Sequence, residues 1–469
     1  MPKVSWQMIS SAVLFLLLCV PLMCNRSEVV HAESSNSKGV QLPQGVEVLV
    51  PQKTHVEVNG EAESQTRDFF SSPSLVQAGG VLVAFAEGRT QYTGLHHEHA
   101  SWLTYADIVA GYINAVEPWS SFVAEVNANK WKAHTVFIRG AKKRGNVGRA
   151  LLPTAVAKGN KVFLLVGSHE ATYNATAKSW DKVSRQLDLL VGEATQDKVI
   201  QWGKPTSLLR ITQPANQRGL KDFYGAGGSG VVMEDGTLVF PLLVRRSKKD
   251  FVSMIMYSRD DGKNWVLPKG TSPADCIDPL IVEWEQGQLV MVAKCNSLSN
   301  VFESRDMGET WTEAVRILTR VHPMFLPNPS RAAEGMTSFT TATIAGKKVM
   351  LYTQKRIPPA KRNVTSLYLW VTDNNRTFHL GPISMDTTEK PMLANTLLHS
   401  TEGLHLLRER GSRPARRLVI TPLTEELKTV RSVVETWARL EARKGDGCLR
   451  ESVSRALGLL GLCGVVFLL

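Results

Sequence analysis

Cysteine is scarce in this sequence. Six occur in 469 residues, and four of them, Cys19, Cys24, Cys448 and Cys463, fall in the apolar ends of the chain. Only Cys276 and Cys295 remain between, which excludes a disulfide-framework fold and allows one bridge. Phosphate-cradling glycine loops are missing, and with them the nucleotide-driven chemistries. Metal ligands at a recognisable spacing are missing too. The cluster "HHEH" (96–99) has the composition of a zinc site without its spacing, so no metal or other cofactor is expected. Basic residues outnumber acidic ones, 55 to 43. They gather in short clusters at 142–144, 245–249 and 413–417, which read as solvated loops able to steer toward anionic surfaces; no nucleic-acid partner is expected.

Both apolar ends are shorter than the roughly 20 residues that span a bilayer. Lys3 precedes an apolar run at about 12–23, and Val30-His31-Ala32 offers a small-residue cleavage site, so 1–32 reads as a signal peptide, with an N-terminal anchor as the rival. At the other end Gly445, Asp446 and Gly447 precede a polar spacer (449–455) and an apolar tail (456–469). That order is a GPI-attachment signal over 448–469, removed on anchoring; a buried terminal helix is the alternative. The expected product is a lipid-anchored ectodomain of 33–447 on the cell surface, with 51 Lys and Arg against 41 Asp and Glu. Sequons at Asn174, Asn363 and Asn375 suit that route. Cys276 and Cys295 would then form a disulfide closing a loop of about 20 residues, worth roughly 3 kcal/mol.

Between the ends, short apolar runs such as "GVLVAFAEGR", "KVFLLVGSH", "GTLVFPLLVRR" and "KVMLYTQK" are bounded by turn residues, the pattern of many short strands. The phrase "YSRDDGKNW" (257–265) returns as "ESRDMGETW" (303–311), and "VTDNNRTF" (371–378) looks like a degraded third copy. Ser and Asp side chains can satisfy the backbone of such a turn, Gly permits a positive φ, and Trp anchors it. A period near 46 residues predicts propeller blades, with a β-helix or paired sandwiches as lesser alternatives. Then the period changes. Leu427, Val430, Val434, Trp437 and Leu440 recur at three- and four-residue steps, which predicts an amphipathic helix within 423–447 after a propeller over 33–422.

On "SPSLV" (72–76), "LLPTAVAKGNKVFLLVGS" (151–168), both repeated phrases, "CIDPLIVEWEQGQLVM" (276–291) and "SLYLWVTDNNR", the chain resembles the trypanosomal trans-sialidase superfamily, a branch of the sialidases. The resemblance implies an all-β, six-bladed propeller closed by the C-terminal helix. Members commonly continue into a lectin-like domain, for which this chain shows no counterpart.

The resemblance also implies a site, and here the residues depart from it. Three arginines should clamp a sugar carboxylate, because a planar fork matches it in geometry and charge. Their positions hold Ser71, Lys294 and Val364, with Arg362 near the last. A Tyr nucleophile is expected where Ala394 stands, with Tyr368 the nearest phenol in sequence, and its Glu partner appears as Asp278. The general acid falls near Leu95, where His96, His97 and Glu98 are conceivable substitutes, and Leu152 replaces an Asp that contacts the N-acyl group. Arg89 and Arg149 match pocket arginines. Glu409 matches the carboxylate that steadies the first clamp Arg; with Ser71 opposite, it is expected to be a surface group beside Arg408 and Arg410. Losing a charge-assisted pair costs about 1.5–3 kcal/mol, and losing the nucleophile removes the covalent route. The expectation is a non-catalytic, host-facing glycoprotein that binds sialylated glycans or host surface proteins. The alternative is an exo-α-sialidase or trans-sialidase with a rebuilt site.

Overall fold

The apolar runs become strands whose two faces are both covered. In a computed structural model of the chain, residues 42–58, 62–93, 103–140, 145–182, 185–247, 250–296, 298–314, 318, 337–356, 364–387, 392–412 and 415–442 are described. Along the strand Lys161–Asn174, Phe163 and Leu165 pack with Phe240, Leu242 and Met254 on one side. Val162, Leu164 and Val166 pack with Val83 and Phe85 on the other. Side chains alternate across a strand, so a sheet sandwiched between two neighbours needs apolar residues at every position. This is why "KVFLLV" is a continuous run.

Among the described residues, four sheets of four strands stand apart. One contains Asp222–Gly225, Val231–Val232, Leu238–Arg245 and Phe251–Ser258; the next Cys276–Glu283, Leu289–Cys295, Leu298–Ser304 and Thr312–Glu313. A third contains Phe339–Ile344, Lys347–Arg356, Val364–Thr372 and Thr377–Thr387. In the fourth, Met392–Ser400, Gly403–Arg410 and Arg417–Pro422 are joined by Val46–Leu49, whose Val46 pairs with Ile420, so the first strand closes the last sheet. The remaining twelve strands form one sheet. Four separate blades are thus seen rather than the six expected. The reason is local: one parallel pairing, Ala106 with Arg149, carries the ladder from Thr104–Asn114 into Asn146–Lys158. The architecture is an all-β propeller.

The repeated phrases are turns that hold themselves together. Ser258 Oγ donates to Asp260 Oδ1 at 2.8 Å and accepts from the Gly262 N–H at 2.9 Å, while the Asn264 N–H donates to Asp260 Oδ1 at 2.8 Å. Ser304, Asp306, Gly308 and Thr310 repeat this geometry. These bonds hold the Asp260 carboxyl down at about 2. Gly262 has φ +81°, and a Cβ there would lie 2.6 Å from Phe163, so glycine is needed for both the turn and the close approach. In the third copy the Asp373 carboxylate accepts from the N–H groups of Asn375 and Arg376, and Phe378 stands in place of the indole.

The helix spans 424–442. Val430, Val434 and Trp437 are buried against Leu369, Phe378 and Leu406, with Leu427 at the edge of the same cluster. Leu440 does not join them and is 43% exposed, because a second successive step of three residues rotates it off the stripe; Glu441, the next residue, faces the sheet and meets Arg376.

Candidate functional site

Three strands share an irregularity. Ser72-Pro73, Leu152-Pro153 and Asp278-Pro279 each interrupt the register of their strand, and Ser72, Leu152 and Asp278 have φ of +57°, +52° and +53°. A positive φ in a residue other than glycine costs about 1–2 kcal/mol, and Pro cannot continue the ladder. The bulges turn backbone N–H groups away from the sheet, and carboxylates meet two of them. Leu152 N–H donates to Glu87 Oε1 at 2.8 Å, and Ser72 N–H donates to Glu409 Oε2 at 3.1 Å. The dipeptide x-Pro, repeated in three strand segments, is the sequence signal for these bulges.

Glu87 is the first hub. Ser72 Oγ donates to it at 2.9 Å, Ser71 Oγ at 3.4 Å, and Arg89 grips it through both Nε, at 2.8 Å, and Nη2. Burial by itself would push its carboxyl up, but Arg89, the Leu152 N–H and Ser72 hold it below the usual range. Arg89, expected to meet a ligand, is therefore engaged by a carboxylate of the protein. Glu87 was not singled out from sequence.

Glu409 is the second hub, and its expected surface position is corrected. It is 3% exposed, and its Oε1 lies 3.1 Å from Arg416 Nη1. Arg408 and Arg410 point to the opposite face of the strand and pair there with buried Asp386. Burial pushes the Glu409 carboxyl up, against the pull of Arg416 and the Ser72 N–H. Asp278 is also driven up by burial, against Lys294 and Lys355. Lys355, 4% exposed, acts on both Asp278 and Glu409, and Glu87 acts on Glu409. Asp278, Lys294, Lys355, Glu409, Arg416, Glu87 and Arg89 thus form one linked cluster. Lys355 ends the run "KVMLYTQK", where a lysine reads as a solvated strand end; only packing buries it.

The strands bearing Asp278 and Lys294 are joined by a disulfide between Cys276 and Cys295, which face each other in the ladder one step before Ile277 and Lys294. Ala394 is buried at 5% exposure, and Asn395 beside it accepts a bond from Thr353 at 2.7 Å. Tyr368 stacks under Arg356 at 5.3 Å. Arg149 is half-buried, opposite His169. Val364 begins the strand Val364–Thr372. Asn174 donates through Nδ2 to Asp181 at 3.0 Å, and Asn375 is exposed in the third turn. Arg362, Asn363, Leu95, His96, His97, Glu98, the signal segment and the anchor segment lie outside the described residues. Among the described residues no cluster of metal ligands occurs and no helix is long and apolar enough to cross a membrane. A separate groove of about 870 Å³, lined by Trp119, Trp131, Glu425 and Glu426, contains none of the linked cluster.

The family model for the BNR repeat-like domain matches residues 72–409, from the first bulge to Glu409. The chain belongs to this family, within the sialidase superfamily. It is 44% identical over 419 residues to "Sialidase 85-1.1" of Trypanosoma cruzi, covering 87% of this chain and 55% of the relative. It is 32% identical over 368 residues to a second Trypanosoma cruzi sialidase, covering 76% and 29%. This superfamily member therefore spans about half the length of the first relative and less of the second. Trypanosoma rangeli sialidase superposes with a TM-score of 0.70 at 29% identity, over 86% of this chain and 63% of that one. Its complex with sialic acid gives 0.69 at 30%, over 85% and 62%. The fold is an all-β sialidase-like propeller.

Proposed function

We propose that this sialidase-superfamily member is a surface glycoprotein that binds sialylated glycans or host surface proteins without cleaving them, held at the membrane by a lipid anchor whose attachment signal is expected at 448–469. Position 394 carries the reading. A retaining sialidase needs an oxygen nucleophile there, and Ala394 offers a buried methyl group. Burial raises the hydroxyls of Tyr105 and Tyr352 and takes Tyr112 to about 12, the wrong direction for activation. A glycan ligand is supported by likeness to a sialidase solved with sialic acid. Counting the twelve-stranded sheet as two blades fused at the Ala106–Arg149 bridge gives the six blades of this reading.

One observation favours an active enzyme: burial raises the Asp278 carboxyl against Lys294 and Lys355, the direction in which a catalytic acid or base is tuned. The test is incubation of the full chain with 3′-sialyllactose and a galactoside acceptor. No release or transfer of sialic acid is expected. Turnover that disappears in Asp278→Ala would establish the enzymatic reading instead.

A further inference from the structure

We infer that Arg416 is the residue that selects a carboxylate-bearing sugar at this site; the inference rests on the glycan-binding reading above and names the group that enforces it. The segment entering Arg417–Pro422 lies against the first bulge, since the Phe70 N–H donates to the Arg416 carbonyl at 3.0 Å. Ser71, the next residue, is small, buried and turned to Glu87. An arginine from another strand therefore has room beside it. Glu409 then fixes the guanidinium, with Oε1 at 3.1 Å from Nη1 while Oε2 accepts from the Ser72 N–H.

The guanidinium is held but not saturated. Arg416 Nε is buried with no hydrogen-bond partner, while the side chain as a whole keeps 26% exposure. A buried N–H without an acceptor is unfavourable, and a planar carboxylate is the acceptor whose two oxygens fit a guanidinium edge. Arg89 differs, because Glu87 already takes its Nε and Nη2. The charges agree with an anionic ligand. In the linked cluster the four cations Lys294, Lys355, Arg89 and Arg416 stand against the three carboxylates Asp278, Glu87 and Glu409, a net excess of one positive charge.

The test is calorimetric titration of the full chain with 3′-sialyllactose and with lactose, which lacks the carboxylate. Wild type should bind the first and discriminate against the second. Arg416→Gln should weaken sialyllactose binding about 10- to 100-fold, and Arg416→Lys, which keeps the charge without the fork, should recover only part of that. Because Arg416→Gln alone strands the buried Glu409, the double variant R416Q/E409Q is the folding control, checked by its melting curve. Sialyllactose binding at wild-type strength in a folded double variant overturns the role of Arg416 and leaves the glycan-binding reading standing. A wild-type chain that binds neither sugar overturns both.

Discussion

The Glu409 carboxylate joins two parts of the chain that are more than 330 residues apart: Oε2 accepts from the Ser72 N–H at 3.1 Å and Oε1 lies 3.1 Å from Arg416. One side chain thereby holds a bulge of the Phe69–Ala78 strand against the inner strands of the last sheet. Glu409→Ala removes that tie and leaves the Ser72 N–H and the Arg416 guanidinium without it. The expected loss is about 1.5–3 kcal/mol, read as a lower urea midpoint at unchanged slope. An unchanged midpoint would show that the tie contributes nothing.

Glu87 makes the fold sensitive to acid. Its carboxyl is held below the ordinary 4.5 in the folded chain, so the unfolded state takes up its proton first. Its contribution is full above about 4.5 and is lost as pH falls through the depressed value. Glu87→Gln should lose roughly 3 kcal/mol at pH 7, since the half-buried Arg89 is left without its carboxylate. The gap from wild type should narrow as pH falls below about 4.5 and close below the depressed value. Denaturation at a series of pH values checks it; a gap constant down to pH 3 would contradict it.

Removing the disulfide should act on stability and on the site together. Cys276→Ser with Cys295→Ser is expected to lower stability by roughly 3 kcal/mol. The bridge stands at the ends of the strands that carry Asp278 and Lys294, so sialyllactose affinity should fall as well. Melting curves with and without reductant should differ for wild type and coincide for the variant.

The repeated turns should behave in the opposite way. Trp265 packs on Phe240 at 5.3 Å and donates to the Gly262 carbonyl at 3.0 Å. Trp265→Ala should destabilise by about 3–5 kcal/mol. The folded fraction should keep its sialyllactose affinity, because none of these contacts reaches the linked cluster. A matching loss of affinity would give the turn a role beyond structure.

The propeller was legible for a physical reason. Hairpin turns such as Ser258–Trp265 satisfy their own backbone within a few residues, and strands covered on both faces must be apolar throughout, so both leave marks on contiguous sequence. The helix was legible through its period as far as Trp437. Leu440 lies outside the buried stripe because steps of three residues, repeated, turn away from a face set by 3.6 residues per turn.

The site was legible mainly as a set of losses. Ser71, Lys294 and Ala394 can be read at their positions, but Glu87, Lys355 and Arg416 form their contacts with residues from other strands. By itself the sequence determined the sialidase-like architecture, the stabilising turns and the absence of a hydroxyl at position 394, because each depends on neighbours in the chain. Only the tertiary structure decided that Glu409 is buried, that Arg89 is engaged by Glu87 and that Arg416 pairs with Glu409. Those pairings are set by how separate sheets meet, and desolvation at that meeting decides which charges are paired.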